Sequence, residues 1–243
     1  MIQIQYKGRT GNKMVQYAAG YILAKKTGLE LNTRALLRGS VFNIKPIVPG
    51  VLNPVTIRLD DSNYYDHLNN PEPGTGYILR GFFQDGRLLC DYRDEILDLY
   101  RYDKEPEIDI SPDDAYVACR LGDCLNNPRG RVYCTIEYIE NQLKKTRQKY
   151  QNVYISSDSL DYPPLVELVN RYNMTIYNPS LHPVHTILFA RNFNNLILSA
   201  GTFSYWIAYF STADNVTVYK SRNDGLQKWR SAWLYNKNVK LIN

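Results

Sequence analysis

From Ala115 to Tyr219 the chain alternates short apolar runs with stretches of helical period, and this alternation restricts the fold more than any other feature. The runs Ala115–Cys119, Val153–Ser156, Met174–Ile176, Leu196–Leu198 and Val216–Tyr219 read as strands. The stretches near 135–148, 163–172, 183–193 and 202–211 read as the helices between them. Strands separated by helices pair in parallel, and a parallel sheet needs helices over both faces. The class is therefore α/β. Ligands of such sheets bind at the carboxyl ends of the strands.

The N-terminal half reads less regularly. Ile2–Tyr6 is a strand, and Gly8-Arg9-Thr10-Gly11-Asn12 a loop. Residues 13–27 form a helix with Met14, Tyr17, Ala18, Tyr21 and Ile22 on one face and Gly28 as its stop. Residues 38–76 are rich in Pro, Gly, Asn and Asp and read as long loops with short strands. Tyr77–Phe83 is a strand and Arg87–Tyr100 a helix. The segment Pro106 to Asp114 is the linker, which sets two domains, 1–110 and 111–243.

At 243 residues and 44% hydrophobic content, the chain can bury a core in one large or two small domains. Its net charge of +5 is a mild excess. That suits an anionic small ligand, an acidic glycan or peripheral contact with an anionic membrane surface. Nucleic acid asks for a denser basic stripe. The 21 tyrosines suit sugar stacking, cores and interfaces alike. The four cysteines, Cys90, Cys119, Cys124 and Cys134, form no Cys-x-x-Cys pair and no zinc spacing with histidine. Cys90 and Cys119 lie in apolar contexts and read as buried thiols. No apolar run reaches membrane-spanning length, the first residues lack signal-peptide architecture, and the expected setting is the cytoplasm.

Four loops at strand carboxyl ends carry suggestive residues. Gly8–Asn12 holds two glycines, which allow close approach to a ligand or simply a tight turn. Arg120, directly after a strand, can fork onto a diphosphate or make a surface ion pair, and Asp123 beside it can orient it or take a proton. Ser156-Ser157-Asp158-Ser159 can grip a ribose or a base edge, or cap the next helix. Ser199-Ala200-Gly201 runs into a helix at Thr202, with Thr202 suited to the N-cap role and Ser204 in the first turn. A helix start at that place favours phosphate. Three such loops in one half, on one sheet edge, favour a nucleotide-type ligand.

The order of these motifs resembles the bacterial and viral α-1,2-fucosyltransferase family. Gly11-Asn12-Lys13-Met14-Val15-Gln16-Tyr17-Ala18 is similar to the end of its opening G-G-L-G-N-Q-M-F-Q-Y-A. Leu79-Arg80-Gly81-Phe82-Phe83-Gln84 is similar to its L-x-G-Y-F-Q, and Arg120-Leu121-Gly122-Asp123 to the end of its H-x-R-R-G-D. Ser157-Asp158 stands at its F-S-D-D, and Thr202-Phe203-Ser204-Tyr205-Trp206 at its S-T-F-S-W-W. The chain departs from the pattern at Ala118, where the family has histidine, at Leu121, where it has a second arginine, and at Arg9 and Thr10.

The resemblance implies a glycosyltransferase B-type fold, two Rossmann-like halves with a central cleft. The first half would serve the acceptor and the second the nucleotide sugar. It implies a glycosyltransferase moving L-fucose from GDP-fucose to a glycan hydroxyl, with inversion and without a metal or further cofactor. Arg120, Ser157, Asp158, Thr202, Phe203 and Ser204 would bind the nucleotide sugar, and Gly11 and Asn12 would line the acceptor side. Arg120 would also stabilise the leaving group, and Asp123 or Asp85 would act as the base. The alternatives are another nucleotide sugar, or a glycan- or nucleotide-binding protein without activity, for which the missing histidine argues.

Overall fold

The computed structural model describes residues 1–32, 55–101, 109–125, 132–146, 150–177, 183–220 and 239–242. It divides into two compact units, Met1–Asp103 and Lys104–Asn243.

In the first unit, strand β1 (Ile2–Ile4) leads through a loop to helix α1 (Thr10–Thr27). The helix starts earlier than the expected residue 13. Gly8 turns the chain at φ 74°, Arg9 is extended at the N-cap, and Lys13 N donates to Arg9 O at 3.1 Å, closing the first turn. Gly11 and Asn12 are therefore helical residues. At the far end Gly28 takes the left-handed cap at φ 69°, and its amide donates to Ala24 O.

Strand β2 (Leu31–Asn32) follows. Within the stretch expected to be loops, the structure has strand β3 (Val55–Leu59) and helix α2 (Tyr64–Asn69). Strand β4 spans Thr75–Leu79, ahead of the expected 77–83. The single helix expected over 87–100 is two, α3 (Gly86–Asp91) and α4 (Arg93–Leu99). Tyr92, at φ −119° and ψ 32°, leaves helical geometry between them. The four strands pair in parallel in the order β2-β1-β4-β3. Helix α1 buries Met14, Val15, Ala18, Ala19, Ile22 and Leu23, and the Tyr64 and Tyr100 hydroxyls donate to Ala19 O and Met14 O.

The second unit follows the expected alternation closely. Strand β5 (Ala115–Cys119) is followed by the short helix α5 (Gly122–Leu125) and then α6 (Ile136–Thr146). Next come β6 (Val153–Ser157), α7 (Pro163–Arg171), β7 (Thr175–Ile176) and α8 (Pro183–Ala190). Strand β8 (Asn195–Leu198), helix α9 (Thr202–Phe210), β9 (Asn215–Tyr219) and β10 (Val239–Ile242) complete it. The order is β10-β9-β8-β5-β6-β7, and every pair is parallel. Every residue of β5 and β8 is buried, as the middle of a sheet covered on both faces requires.

This is the strand order of a Rossmann-like sheet. The chain leaves β5 toward β6 and β7, then crosses to the other side of β5 to lay down β8, β9 and β10. The reversal between β5 and β8 opens a crevice at their carboxyl ends. The amino ends are closed instead. Buried Asp114 accepts from Ser111 N at 3.0 Å and from Asn152 Nδ2 at 2.9 Å. Asn195 Nδ2 donates to Pro112 O and Asp114 O, both at 3.1 Å.

Cys119 and Cys134 are buried free thiols, as is usual for cysteine in a core. Cys90, expected to be buried, is half-buried, and its burial together with Asp91 pushes its pKa up. Among the described residues no helix is long and apolar enough to cross a membrane.

Candidate active site

The β5–β8 crevice is built from main-chain geometry first. Ser199 N donates to Ala118 O at 2.9 Å, which extends the pairing of the two strands. The next amide, Ala200 N, donates to Tyr133 O at 2.6 Å, so the segment before α6 is tied to the loop after β8. Gly201 then takes φ 109° and ψ 166°, a conformation almost confined to glycine, and turns the chain into α9. Gly201 and not Thr202 holds the N-cap position, which corrects the expectation for Thr202. Thr202 is the first helical residue, and Phe203 beside it is half-buried. The first turn of α9 contains no acidic side chain, so its amides and positive dipole end are not neutralised from within the helix.

Arg120 enters this crevice from β5. Its guanidinium carbon lies 4.1 Å from the centroid of the Tyr133 ring. A Cβ on Gly201 would stand 3.1 Å from Arg120 Nη1 and 3.6 Å from Tyr133 Cδ1. The guanidinium is thus seated between an aromatic face and a bare glycine, against the start of α9. Two sources of positive potential share one place, and an anion is their natural complement. Leu121 points the other way. It is 4% exposed and packs with Val117, Ile139 and Ile155, so the second-arginine position of the resembled motif is a core position in this chain.

The other residues expected at the nucleotide site take more structural parts. Asp158 Oδ1 accepts from Leu121 N at 2.8 Å and from Gly122 N at 3.0 Å. A Cβ on Gly122 would come within 3.0 Å of Asp158 Oδ2, so the glycine admits the carboxylate. The acid after β6 therefore holds the loop that carries Arg120. Asp158→Ala should lower stability by about 1–2 kcal/mol, because two backbone amides lose the carboxylate oxygen that accepts from them. A urea midpoint equal to that of the parent protein would remove Asp158 from this role.

Ser157 Oγ accepts from Ser159 N at 3.0 Å, a local turn bond. Ser156 Oγ hydrogen-bonds the Tyr116 hydroxyl. Ser204 is buried, its hydroxyl 3.0 Å from that of Ser199, so it braces the loop from inside. Asp123 belongs to α5, but its side chain lies outside the described residues.

The first unit has its own carboxyl-edge cluster. Asn12 Oδ1 accepts from Gln84 Nε2 at 2.7 Å, which joins the start of α1 to the loop after β4. A Cβ on Gly8 would run into the Asn12 amide, so Gly8 leaves room for this bond. Buried Gln16 braces the first loop, accepting from Lys7 N at 3.0 Å and donating to Lys7 O at 3.1 Å. Gly11 is buried inside α1.

Asp85, the other base candidate, caps α3 by accepting from Arg87 N at 2.9 Å. Its second oxygen takes the Arg87 guanidinium at 2.6 Å, and that guanidinium lies 4.1 Å over the Tyr65 ring. A carboxylate held this way is a helix cap and an ion-pair partner, poorly set to take a proton. Among the described residues no three His, Cys, Asp or Glu side chains stand close enough to hold a metal ion. Sequence reasoning missed Tyr133, which lies in an irregular segment with no periodic signal. Asp61 is a loop carboxylate that holds the chain after β4, accepting from Phe82 N and Phe83 N.

The model of Glycosyl transferase family 11 matches residues 58–237. The O-antigen biosynthesis glycosyltransferase WbnK of Escherichia coli is 24% identical over 279 aligned positions, which cover 88% of this chain and 92% of that protein.

Proposed function

The chain belongs to glycosyl transferase family 11 and is a glycosyltransferase of fucosyltransferase-like type, and we propose that it moves L-fucose from GDP-fucose onto a glycan hydroxyl with inversion. The Rossmann-like unit would hold the donor and the N-terminal unit the acceptor, in a glycosyltransferase B arrangement with a cleft between the halves. The observation that carries this reading is the seat of Arg120 at the β5–β8 switch point, against Gly201 and the start of α9.

In that reading the β-phosphate of GDP lies on the first-turn amides of α9 and within reach of Arg120. The acceptor oxygen attacks the anomeric carbon from the face opposite the diphosphate, and the C–O bond to phosphate breaks. Negative charge grows on the departing oxygens, where a fixed guanidinium and helix-start amides strengthen their hold. No metal is needed to screen that charge. Of the two base candidates we favour Asp123, since Asp85 is engaged by Arg87. The departures from the resembled motifs at Arg9, Thr10, Ala118 and Leu121 are what favours the second readings, another donor sugar or, for the missing histidine, a binding protein without activity.

GDP should raise the melting temperature with EDTA present, and UDP should not. At a ligand concentration of 100 times Kd the gain is about 2.7 kcal/mol, or roughly 5–10 °C for a chain of this size. Stabilisation by UDP alone would overturn the donor assignment. Loss of transfer in EDTA would overturn the metal-free mechanism.

A further inference from the structure

Two adjacent phenylalanines after β4 have opposite fates. Phe83 is 3% exposed, with its ring 5.1 Å from that of Tyr64, whereas Phe82 is 40% exposed. The loop that presents Phe82 is firmly held. Asp61 accepts from Phe82 N at 3.0 Å and from Phe83 N at 2.6 Å. A Cβ on Gly81 would come within 2.8 Å of Asp61 Oδ2, so only glycine lets that carboxylate close on the loop. Arg80 N donates to Leu59 O at 2.8 Å, and Asp85 N to Phe83 O at 2.8 Å.

Phe83 itself sits at φ 52°, a left-handed conformation that costs a non-glycine residue about 1–3 kcal/mol. That strain turns Phe83 inward and leaves Phe82 outside. The part of an aromatic ring that stays in water contributes little to folding. Clamp and strain together therefore hold an apolar face at the carboxyl edge of the first sheet. Two residues on, the Gln84 and Asn12 amides are joined at 2.7 Å.

We propose that Phe82 is a stacking platform for a pyranose ring of the acceptor, with the Asn12–Gln84 pair bonding that sugar's hydroxyls. A pyranose has both surfaces, an apolar face of C–H groups and a rim of hydroxyls. A single exposed ring, followed two residues later on the same loop by a joined pair of amides, matches one sugar better than the broad apolar core of a protein interface. The inference rests on the reading of the N-terminal unit as the acceptor side.

Saturation-transfer NMR on the full chain without donor tests it, using methyl β-D-galactopyranoside and methyl β-D-glucopyranoside as probes. The parent protein should saturate the protons on one ring face of at least one probe. Phe82→Ala should reduce that signal at least about fivefold, as should Phe82→Gln, which keeps bulk without a ring, while Phe82→Trp retains it. In transfer assays Phe82→Ala should raise the acceptor KM about tenfold, with kcat and donor KM unchanged. Equal saturation in parent and variants, no saturation of either probe by the parent, or a shift in donor KM would overturn the proposal. No donor is present in the NMR experiment, so failure of GDP to bind would defeat the donor reading and leave this one standing.

Discussion

Arg120→Ala should reduce sugar transfer at least about thirtyfold, a loss of about 2 kcal/mol or more of transition-state stabilisation. The guanidinium is held against Tyr133 and beside Gly201, so its charge is in place before the diphosphate begins to leave. Leu121 packs into the core and cannot share that charge. Arg120→Lys should recover only part of the rate. An ammonium keeps the charge but loses the planar fork and the flat stack on Tyr133. Steady-state kinetics with GDP-fucose, alongside circular dichroism, checks both variants. Folding should survive, because Arg120 is only half-buried and adjoins a crevice. Near-parent turnover by a well-folded Arg120→Ala protein would sink the phosphate role and the donor-site reading with it.

Tyr133 supplies an internal check on the same argument. If the ring only fills space, Tyr133→Leu should change neither kcat nor donor KM. If it seats the guanidinium, Tyr133→Leu should lose activity and Tyr133→Phe should keep it, because the stack needs the ring and not the hydroxyl. The effect should be smaller than that of Arg120→Ala, since the charge itself remains.

The second unit was legible in the sequence because its middle strands are buried on both faces. Val117 and Ile197 have no solvent side, so β5 and β8 read as unbroken apolar runs. The first unit was less so. Strand β3 is mostly exposed, and punctuating residues around it hid its short Val-Thr-Ile core. The break at Tyr92 leaves no mark in composition. Nor does the left-handed turn at Phe83, which the distant carboxylate of Asp61 stabilises.

The site divides in the same way. Topology alone brings Arg120 and Gly201 to one edge, because each follows a strand beside the switch point. What Asp158 and Ser204 do there depends on which way a side chain turns. Asp158 turns toward the neighbouring loop and Ser204 toward the interior, and no spacing rule foretells either direction. Asn12 meets Gln84 only because β1 and β4 are neighbours in the first sheet, a pairing that short motifs do not state.

Gly201→Ala should cost both stability and transfer, and a second glycine separates the two losses. At φ 109° and ψ 166° an alanine pays about 1–3 kcal/mol of backbone strain. Its methyl would also stand 3.1 Å from Arg120 Nη1, so the guanidinium must shift or the α9 entry must open. The guanidinium need give by only a few tenths of an ångström; as a displacement near 1 Å at a reacting centre can cost about a hundredfold in rate, a shift of this size costs about severalfold. Gly28 is the control. It too has a left-handed φ, 69°, but a Cβ there meets nothing within 4 Å, and it caps the far end of α1. Gly28→Ala should therefore lower the urea midpoint and leave kcat/KM for donor alone. Gly201→Ala should lower the midpoint and reduce kcat/KM by roughly two- to tenfold. If the two variants lose stability alike and neither loses activity, then the contact between Gly201 and Arg120 has no part in donor chemistry, and the site must be sought at another edge of the sheet.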